Sequence, residues 1–163
     1  MKSKKVLFID TSFLVRVGMN QIIREYFPRR FSFDTIPPEA LCKDQSDILH
    51  YDMVIIGTVP QEVQLILAIK QLNRPIPILV FPATMQDSQA MSCLIAGANG
   101  YLAQDAGCKE ISFAISTVMG GNRYLCQKLI EKMAEENGKV TSLDKTNSEE
   151  LTPSVSLSNR SNN

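Results

Sequence analysis

The chain has 163 residues, of which 44% are hydrophobic and 21% charged, and its formal net charge is zero. These values are typical of one soluble globular domain with a tail, and they favour neither a nucleic-acid-binding nor a membrane-binding surface. The first residues are charged and lead into a predicted strand, so we expect no signal peptide. No apolar run has the length needed to span a bilayer. We therefore expect a cytoplasmic protein with reduced thiols.

The cysteine and histidine content argues against a metal centre. Cys42, Cys93, Cys108 and Cys126 include no C-x-x-C pair, and His50 is the single histidine. A zinc site needs clustered thiolate and imidazole ligands. We expect no metal and no cofactor. Cys42 and Cys93 lie in apolar, helix-like contexts, which predicts two small buried residues.

Strands and helices are predicted to alternate along the chain. Short apolar runs predict strands at residues 5–9, 31–36, 53–56, 76–81 and 101–102. The run at 31–36 alternates and is typical of an edge strand. Between the strands lie helical patterns: one capped by Thr11 or Ser12, a weak one containing Ala40, Leu41, Ile48 and Leu49, one from Pro60, one ending at Gly97, and one ending at Gly120. Five such units predict a doubly wound parallel α/β sheet with helices on both faces.

The last part of the chain has a different composition. Residues 125–133 have helical periodicity, so we predict a linker helix over 123–136 that follows a domain of residues 1–122. From 137 to 163 the sequence is rich in Ser, Thr, Asn, Glu and Lys, with few apolar residues. Such a segment cannot bury enough apolar surface to offset its ordering entropy, which predicts a disordered tail.

The predicted sheet indicates where a functional site should lie. In doubly wound sheets ligands bind at the carboxyl ends of the strands. These ends carry Asp10-Thr11, Gly57-Thr58, Pro82-Ala83 and Ala103-Gln104.

Five segments resemble one known family. They are residues 6–10 (VLFID), 16–18 (RVG), 52–56 (DMVII), 96–102 (AGANGYL) and 120–125 (GGNRYL). In this order and spacing they resemble the receiver domains of two-component response regulators, of the LuxR/FixJ/NarL type. The resemblance covers roughly residues 4–126 and implies a flavodoxin-like (βα)5 fold with strand order 2-1-3-4-5. It also implies a signalling role without enzymatic turnover.

The phosphorylation site of that family is not kept. By the resemblance, the acidic pair falls on Asp10 and Thr11, and the phosphoacceptor falls on Gly57. The switch hydroxyl falls on Pro82 and the phosphate-pairing lysine on Gln104. One carboxylate is a poor anchor for Mg²⁺, and a glycine offers no nucleophile. We expect a degenerate pocket with no catalytic residue and, at most, weak cation binding at Asp10.

Other roles for the residues around this pocket remain open. Thr58 or Thr84 can be considered as a replacement hydroxyl, although strand alternation and the lack of a base argue against Thr58. Asp10 can equally cap the following helix. Tyr101 falls on the family's aromatic switch position. Without phosphate chemistry, we expect an ordinary packed tyrosine whose hydroxyl reaches water.

Three functions are consistent with the sequence. The first is an atypical receiver that works by protein contact, as a homodimer or with a partner, through the face formed by the family's fourth helix, fifth strand and fifth helix. The second is a small-molecule sensor using Asp10, Thr11, Thr84 and Gln104. The third is the regulatory half of a transcription factor. Residues 150–153 (ELTP) resemble the start of the family's helix-turn-helix domain, and DNA binding would require that absent domain.

Overall fold

The computed structural model describes residues 2–84 and 86–150, with side chains described as far as residue 139. The chain divides into two units between Leu129 and Ile130, and the sheet belongs to the first. No helix among the described residues is both long and apolar enough to cross a membrane.

Six strands form one parallel sheet in the order β2-β1-β3-β4-β5-β6. The strands are β1 (Lys4–Ile9), β2 (Phe31–Ile36), β3 (Met53–Ile56), β4 (Ile78–Val80), β5 (Gly100–Tyr101) and β6 (Tyr124–Leu125). The helices are α1 (Phe13–Tyr26), α2 (Glu62–Lys70), α3 (Asp87–Ala96), α4 (Cys108–Met119) and α5 (Gln127–Glu150). The predicted α/β, flavodoxin-like fold with order 2-1-3-4-5 is confirmed, and β6 extends it at the β5 edge.

The central strands form the core because they are apolar along their whole length. Residues 6–9, 53–56 and 78–80 are all buried, as expected of parallel strands covered on both faces. Sequence alternation predicted an edge strand at 31–36, and β2 occupies those residues at the edge of the sheet. Ser12 caps α1 by accepting a hydrogen bond from the backbone N–H of Val15.

The prediction of a weak helix between β2 and β3 is wrong. Two short 3-10 helices, Pro38–Ala40 and Ser46–His50, replace it. At the start of the second one, Asp44 accepts a hydrogen bond from the backbone N–H of Ser46, and Asp47 accepts one from that of Cys42. Such local bonds compete with helix formation. Cys42 is consequently exposed, which corrects its prediction as a buried residue.

The segment after α4 also differs from its prediction. Residues 124 and 125 pair with β5 instead of starting the linker helix, which begins at Gln127. The helix continues to Glu150, so residues 137–150, predicted to be disordered, are helical in the structure. Good helix formers such as Lys, Glu and Ala occupy its first half, and they favour this continuation. Residues 151–163, including most of the helix-turn-helix-like segment, lie outside the described residues.

Because the family's second helix is replaced by 3-10 helices, its fourth and fifth helices correspond here to α3 and α4. The predicted interaction face is therefore formed by α3, β5 and α4.

Candidate functional site

The parallel register brings the predicted site residues to one edge of the sheet. Ile9 is paired with Ile56, so the residues that follow them, Asp10 and Gly57, are neighbours. Asp10 is 2% exposed. Pro82 is buried beyond the end of β4, whereas Thr11 and Gln104 are exposed.

Each oxygen of the Asp10 carboxylate accepts a hydrogen bond from a backbone N–H. Its Oδ1 accepts a hydrogen bond of 2.6 Å from the N–H of Ser12, and its Oδ2 accepts one of 2.8 Å from the N–H of Thr58. Arg16 donates to the backbone oxygen of Asp10 at 2.6 Å and to that of Thr11 at 3.2 Å. Asp10 therefore joins the loop after β1 to the loop after β3, a structural role close to the capping role considered from the sequence.

Gly57 leaves the space that this carboxylate fills. A Cβ built on Gly57 would overlap Oδ2 of Asp10 and would lie 2.9 Å from its Cγ. Real Cβ atoms do not approach other heavy atoms so closely, so any larger residue would displace Asp10. The missing acceptor and the position of Asp10 are thus two parts of one packing arrangement.

Thr58 has a role that the sequence did not reveal. The N–H of Thr58 donates to Asp10, and its backbone oxygen accepts a hydrogen bond of 3.0 Å from the N–H of Thr11. Its side-chain Oγ1 accepts one of 3.1 Å from the N–H of Ala83. Thr58 therefore connects the loops after β1, β3 and β4. A hydroxyl residue two positions after the end of a buried strand was the sequence signal for this role.

The residues at this edge do not fit a Mg²⁺ ion. Mg²⁺ favours octahedral coordination by oxygen atoms and is normally anchored by carboxylates. Both oxygens of Asp10 already accept backbone hydrogen bonds, and Thr11 and Gly57 add no carboxylate. Among the described residues, no group of three or more His, Cys, Asp or Glu side chains could hold a metal ion.

Two further positions lack the groups that phosphate chemistry requires. Pro82 has neither a hydroxyl nor a backbone N–H to offer an anion. Gln104 is exposed and carries no charge. Thr84, the alternative hydroxyl, is also exposed.

Tyr101 is buried more deeply than predicted. The whole residue is 0% exposed, and its hydroxyl is buried without a hydrogen-bond partner among the described residues. The expected contact of this hydroxyl with water is therefore wrong. Burial, followed by the nearby carboxylate of Glu62, raises the pKa of Tyr101 well above its ordinary value. The phenol consequently remains a proton donor at neutral pH.

A buried polar pair joins α2 and α3 near Tyr101. Glu62, the first residue of α2, is 6% exposed, and its Oε1 accepts a hydrogen bond of 2.7 Å from the thiol of Cys93 on α3. Burial and this hydrogen bond raise the pKa of Cys93, so the thiol stays protonated. Cys93 is buried, as predicted, but it also has a polar partner. The burial of Glu62 was not anticipated from the sequence.

The fold is similar to that of several solved receiver domains. A LuxR-family two-component response regulator from Aurantimonas sp. SI85-9A1 is 22% identical with a TM-score of 0.68, covering 83% of this chain and 99% of that one. The isolated receiver domain of RcsB from Salmonella enterica serovar Typhimurium, solved with the phosphomimetic BeF3⁻, is 12% identical with a TM-score of 0.62, covering 80% and 98%.

An orphan response regulator of H. pylori is 19% identical with a TM-score of 0.59, covering 72% of this chain and 97% of that one. At these identities the similarity establishes a receiver fold. No family model matches the sequence, and no curated protein matches it.

Proposed function

We propose that this protein is an atypical receiver module of signal transduction that works by protein contact, without aspartyl phosphorylation and without enzymatic turnover. The observation that carries the proposal is the position of Asp10. Its carboxylate occupies the space beside Gly57 where an acceptor side chain would stand, and it is held there by the N–H groups of Ser12 and Thr58.

The receiver fold and the altered pocket together favour signalling by another input. Metal ligand, acceptor, switch hydroxyl and counter-charge are replaced at Thr11, Gly57, Pro82 and Gln104. Phosphoryl transfer depends on positioned charge neutralisation, so losing these groups together removes most of its driving interactions. Sensing of a small molecule by Asp10 is less favoured, because both of its carboxylate oxygens are already engaged.

Incubation of the full chain with acetyl phosphate and Mg²⁺, followed by intact-protein mass spectrometry, tests the absence of phosphorylation. We expect no adduct on the wild-type chain. We also expect none on Gly57→Asp, because the other altered positions are not restored. An adduct on the wild-type chain that hydroxylamine removes, as it removes an acyl phosphate, would contradict the proposal.

The surface proposed for protein contact is the α3–β5–α4 face, and we propose a second copy of this chain as its partner. This face exposes two large apolar side chains: Ile95 on α3 is 81% exposed, and Phe113 on α4 is 65% exposed. β6 covers the outer edge of β5, and its Tyr124 packs on Phe113 with the ring centroids 6.1 Å apart. Large exposed apolar side chains around such an edge are typical of an interaction surface.

Sedimentation equilibrium of wild type and variants tests this interface. We expect Ile95→Lys and Phe113→Lys to weaken self-association, because each places a charge in the apolar contact. Leu67→Lys is the matched control, since Leu67 is 45% exposed but lies on α2, outside the proposed face. A wild-type chain that remains monomeric at all concentrations, or equal effects of all three variants, would contradict the proposed dimer.

A further inference from the structure

A cleft lies at the amino edge of the sheet, opposite to the edge that carries Asp10. The strand register pairs Lys4, the first residue of β1, with Phe31, the first residue of β2, and both residues line the cleft. Its volume is about 590 Å³, within the range of about 300–1,000 Å³ that is typical of small-molecule sites. The cleft is therefore separate from the degenerate pocket and large enough for an organic ligand.

The side chains around this cleft carry positive charge only. Its four exposed cationic residues are Lys2, Lys4, Arg29 and Arg30, and no acidic residue lines it. Within the part of the chain that the structure describes, none of the four forms a salt bridge. The carboxylate of Asp52 interacts with Lys4, but it lines a neighbouring cleft and is paired with Arg74 at 2.8 Å. Since like charges repel, an anion that binds between these cations is stabilised by all of them.

The backbone holds the two arginines side by side at this cleft. The N–H of Arg30 donates a hydrogen bond of 3.1 Å to the backbone oxygen of Phe27, and the Ser3 hydroxyl donates one of 3.4 Å to the backbone oxygen of Arg30. Arg29 has a φ of 64°, in the left-handed region that is uncommon for residues other than glycine. These contacts use backbone groups of the arginines, so both guanidinium groups remain able to bind a ligand. Guanidinium groups bind phosphate oxygens through paired N–H donors.

The cleft also has an apolar part. Phe31 and Met119, the last residue of α4, are half-buried and line it. The ring of Phe31 packs edge-on against that of Phe27, with the ring centroids 4.8 Å apart, and Phe27 is 5% exposed. The core therefore fixes the position of the Phe31 ring. A fixed aromatic ring beside cationic side chains offers a stacking surface for a nucleobase, which an inorganic phosphate would leave without a contact.

We propose that this cleft binds a nucleoside polyphosphate. The phosphate groups lie between the lysines and the arginines, and the base stacks on Phe31. The formal net charge of the chain is zero, so the surface as a whole does not attract a nucleic acid or an anionic membrane, and a local group of four cations suits a small polyanion. The inference does not depend on the proposed function, because it uses neither the pocket around Asp10 nor self-association.

Three probes separate the contributions of the phosphates and of the base. ATP carries both, inorganic tripolyphosphate carries the phosphate groups alone, and adenosine carries the base alone. Each is titrated in metal-free buffer into the full-length, ¹⁵N-labelled chain while amide chemical shifts are followed by NMR. We expect saturable shifts at residues 2–4, 29–31 and 116–120, with ATP binding at least about fivefold more tightly than tripolyphosphate. Adenosine should not bind measurably, and added salt should weaken the binding of ATP.

Variants assign the contacts. We expect Arg29→Gln/Arg30→Gln to weaken ATP and tripolyphosphate alike, by about tenfold or more. Lys4→Gln should weaken both by a smaller factor. Phe31→Leu should weaken ATP about fivefold and leave tripolyphosphate unchanged, because it removes the stacking surface alone.

Lys109→Gln is the matched control for Lys4→Gln. It removes the same charge from an exposed lysine at the start of α4, about 15 Å along the helix from Met119 and outside the cleft. The affinity for ATP should change by less than about twofold. The amide spectrum shows whether each variant is folded. If Phe31→Leu is not, the difference between ATP and tripolyphosphate on the wild-type chain decides whether the base is bound.

Four outcomes would overturn the inference. The first is the absence of saturable shifts at the cleft with ATP. The second is equal affinity for ATP and tripolyphosphate, which would leave a site for an adventitious ion only. The third is an unchanged affinity for ATP in Arg29→Gln/Arg30→Gln, which would place the nucleotide elsewhere. The fourth is tighter binding at the cleft, at equal phosphate concentration, of a short single-stranded oligonucleotide or of phosphatidylglycerol vesicles, which would assign this edge to a nucleic acid or a membrane.

Discussion

Two adjacent groups of polar residues at the carboxyl edge of the sheet differ in how their hydrogen bonds are satisfied. Around Asp10, the carboxylate accepts from Ser12 and Thr58, and the hydroxyl of Thr58 accepts from Ala83. Beside this group, the hydroxyl of Tyr101 is buried without a partner among the described residues. The hydrogen bonds around Asp10 stabilise the loops, whereas a buried hydroxyl without a partner costs free energy. The first group therefore stabilises the fold, and the second is a position where stability is lost.

The hydrogen bonds around Asp10 are most directly tested by Gly57→Ala. We expect the free energy of unfolding in urea to fall by about 3 kcal/mol, because the new methyl group forces Asp10 out of its position and breaks its hydrogen bonds. Gly18→Ala is the control: nothing lies within 4 Å of its Cβ position in α1. It should stabilise the chain by up to about 1 kcal/mol through helix propensity. A loss at Gly57 no larger than a few tenths of a kcal/mol would contradict the described packing.

A smaller loss is expected from Asp10→Ala. Removing the carboxylate leaves the N–H groups of Ser12 and Thr58 without their acceptor, which should cost about 2 kcal/mol. The amide hydrogen of Thr58 should also exchange faster with solvent. Asp34→Asn is the comparison, since the bond of Asp34 with the Tyr51 hydroxyl is exposed. It should cost less than about 1 kcal/mol. The double variant Asp10→Ala/Gly57→Ala should lose less stability than the sum of the losses in the two single variants, because both substitutions act on one contact.

The hydroxyl of Tyr101 is tested by a pair of tyrosine variants. Tyr124→Phe should lose about 1 kcal/mol, because it deletes a hydrogen bond of 2.7 Å to Glu110. Tyr101→Phe should lose nothing, or gain stability, since its hydroxyl has no partner among the described residues. Urea unfolding of the two variants side by side gives the comparison. A larger loss at Tyr101 than at Tyr124 would show that the Tyr101 hydroxyl already has a hydrogen-bond partner, and the contrast between the two regions would fail.

The smallest effect is expected in the alkaline pH dependence of stability. Burial raises the pKa of Tyr101, so the folded chain keeps this proton when the unfolded chain loses it. The stabilisation is complete below the ordinary tyrosine pKa of about 10 and is lost as the pH rises above it. At about half a pH unit above that value, the wild type should have lost up to about 0.8 kcal/mol of unfolding free energy that Tyr101→Phe keeps. Identical slopes for wild type and variant would contradict the raised pKa.

Much of the fold could be predicted because parallel strands buried on both faces leave apolar runs in the sequence. The residues of β3 matched their prediction for this reason, whereas those of β2 matched because a half-exposed edge strand alternates in sequence. The 3-10 helices could not be predicted in the same way. The side chains of Asp44 and Asp47 accept hydrogen bonds from backbone N–H groups, and such bonds compete with an α-helix. The two-residue strand β6 depends on its pairing with β5, and no periodicity reveals so short an element.

The candidate site was predictable in its position and not in its contacts. The ends of the strands brought Asp10 next to Gly57, but the bond from Thr58 to Asp10 joins residues 48 positions apart. Glu62 carries a charge at the start of a helix, a position that is normally exposed. Its burial follows from the packing of α2 against α3, which places Cys93 beside it.

The short strand β6 connects the edge of the sheet to the start of α5. The N–H of Cys126, the residue directly before α5, donates a hydrogen bond of 3.1 Å to the backbone oxygen of Tyr101. The side chain of Lys128, in the first turn of α5, is paired with Asp105 at 2.7 Å. The strand that carries Tyr101 is therefore joined by its main chain to the residue that precedes α5, so the edge of the sheet fixes where the first turn of α5 begins.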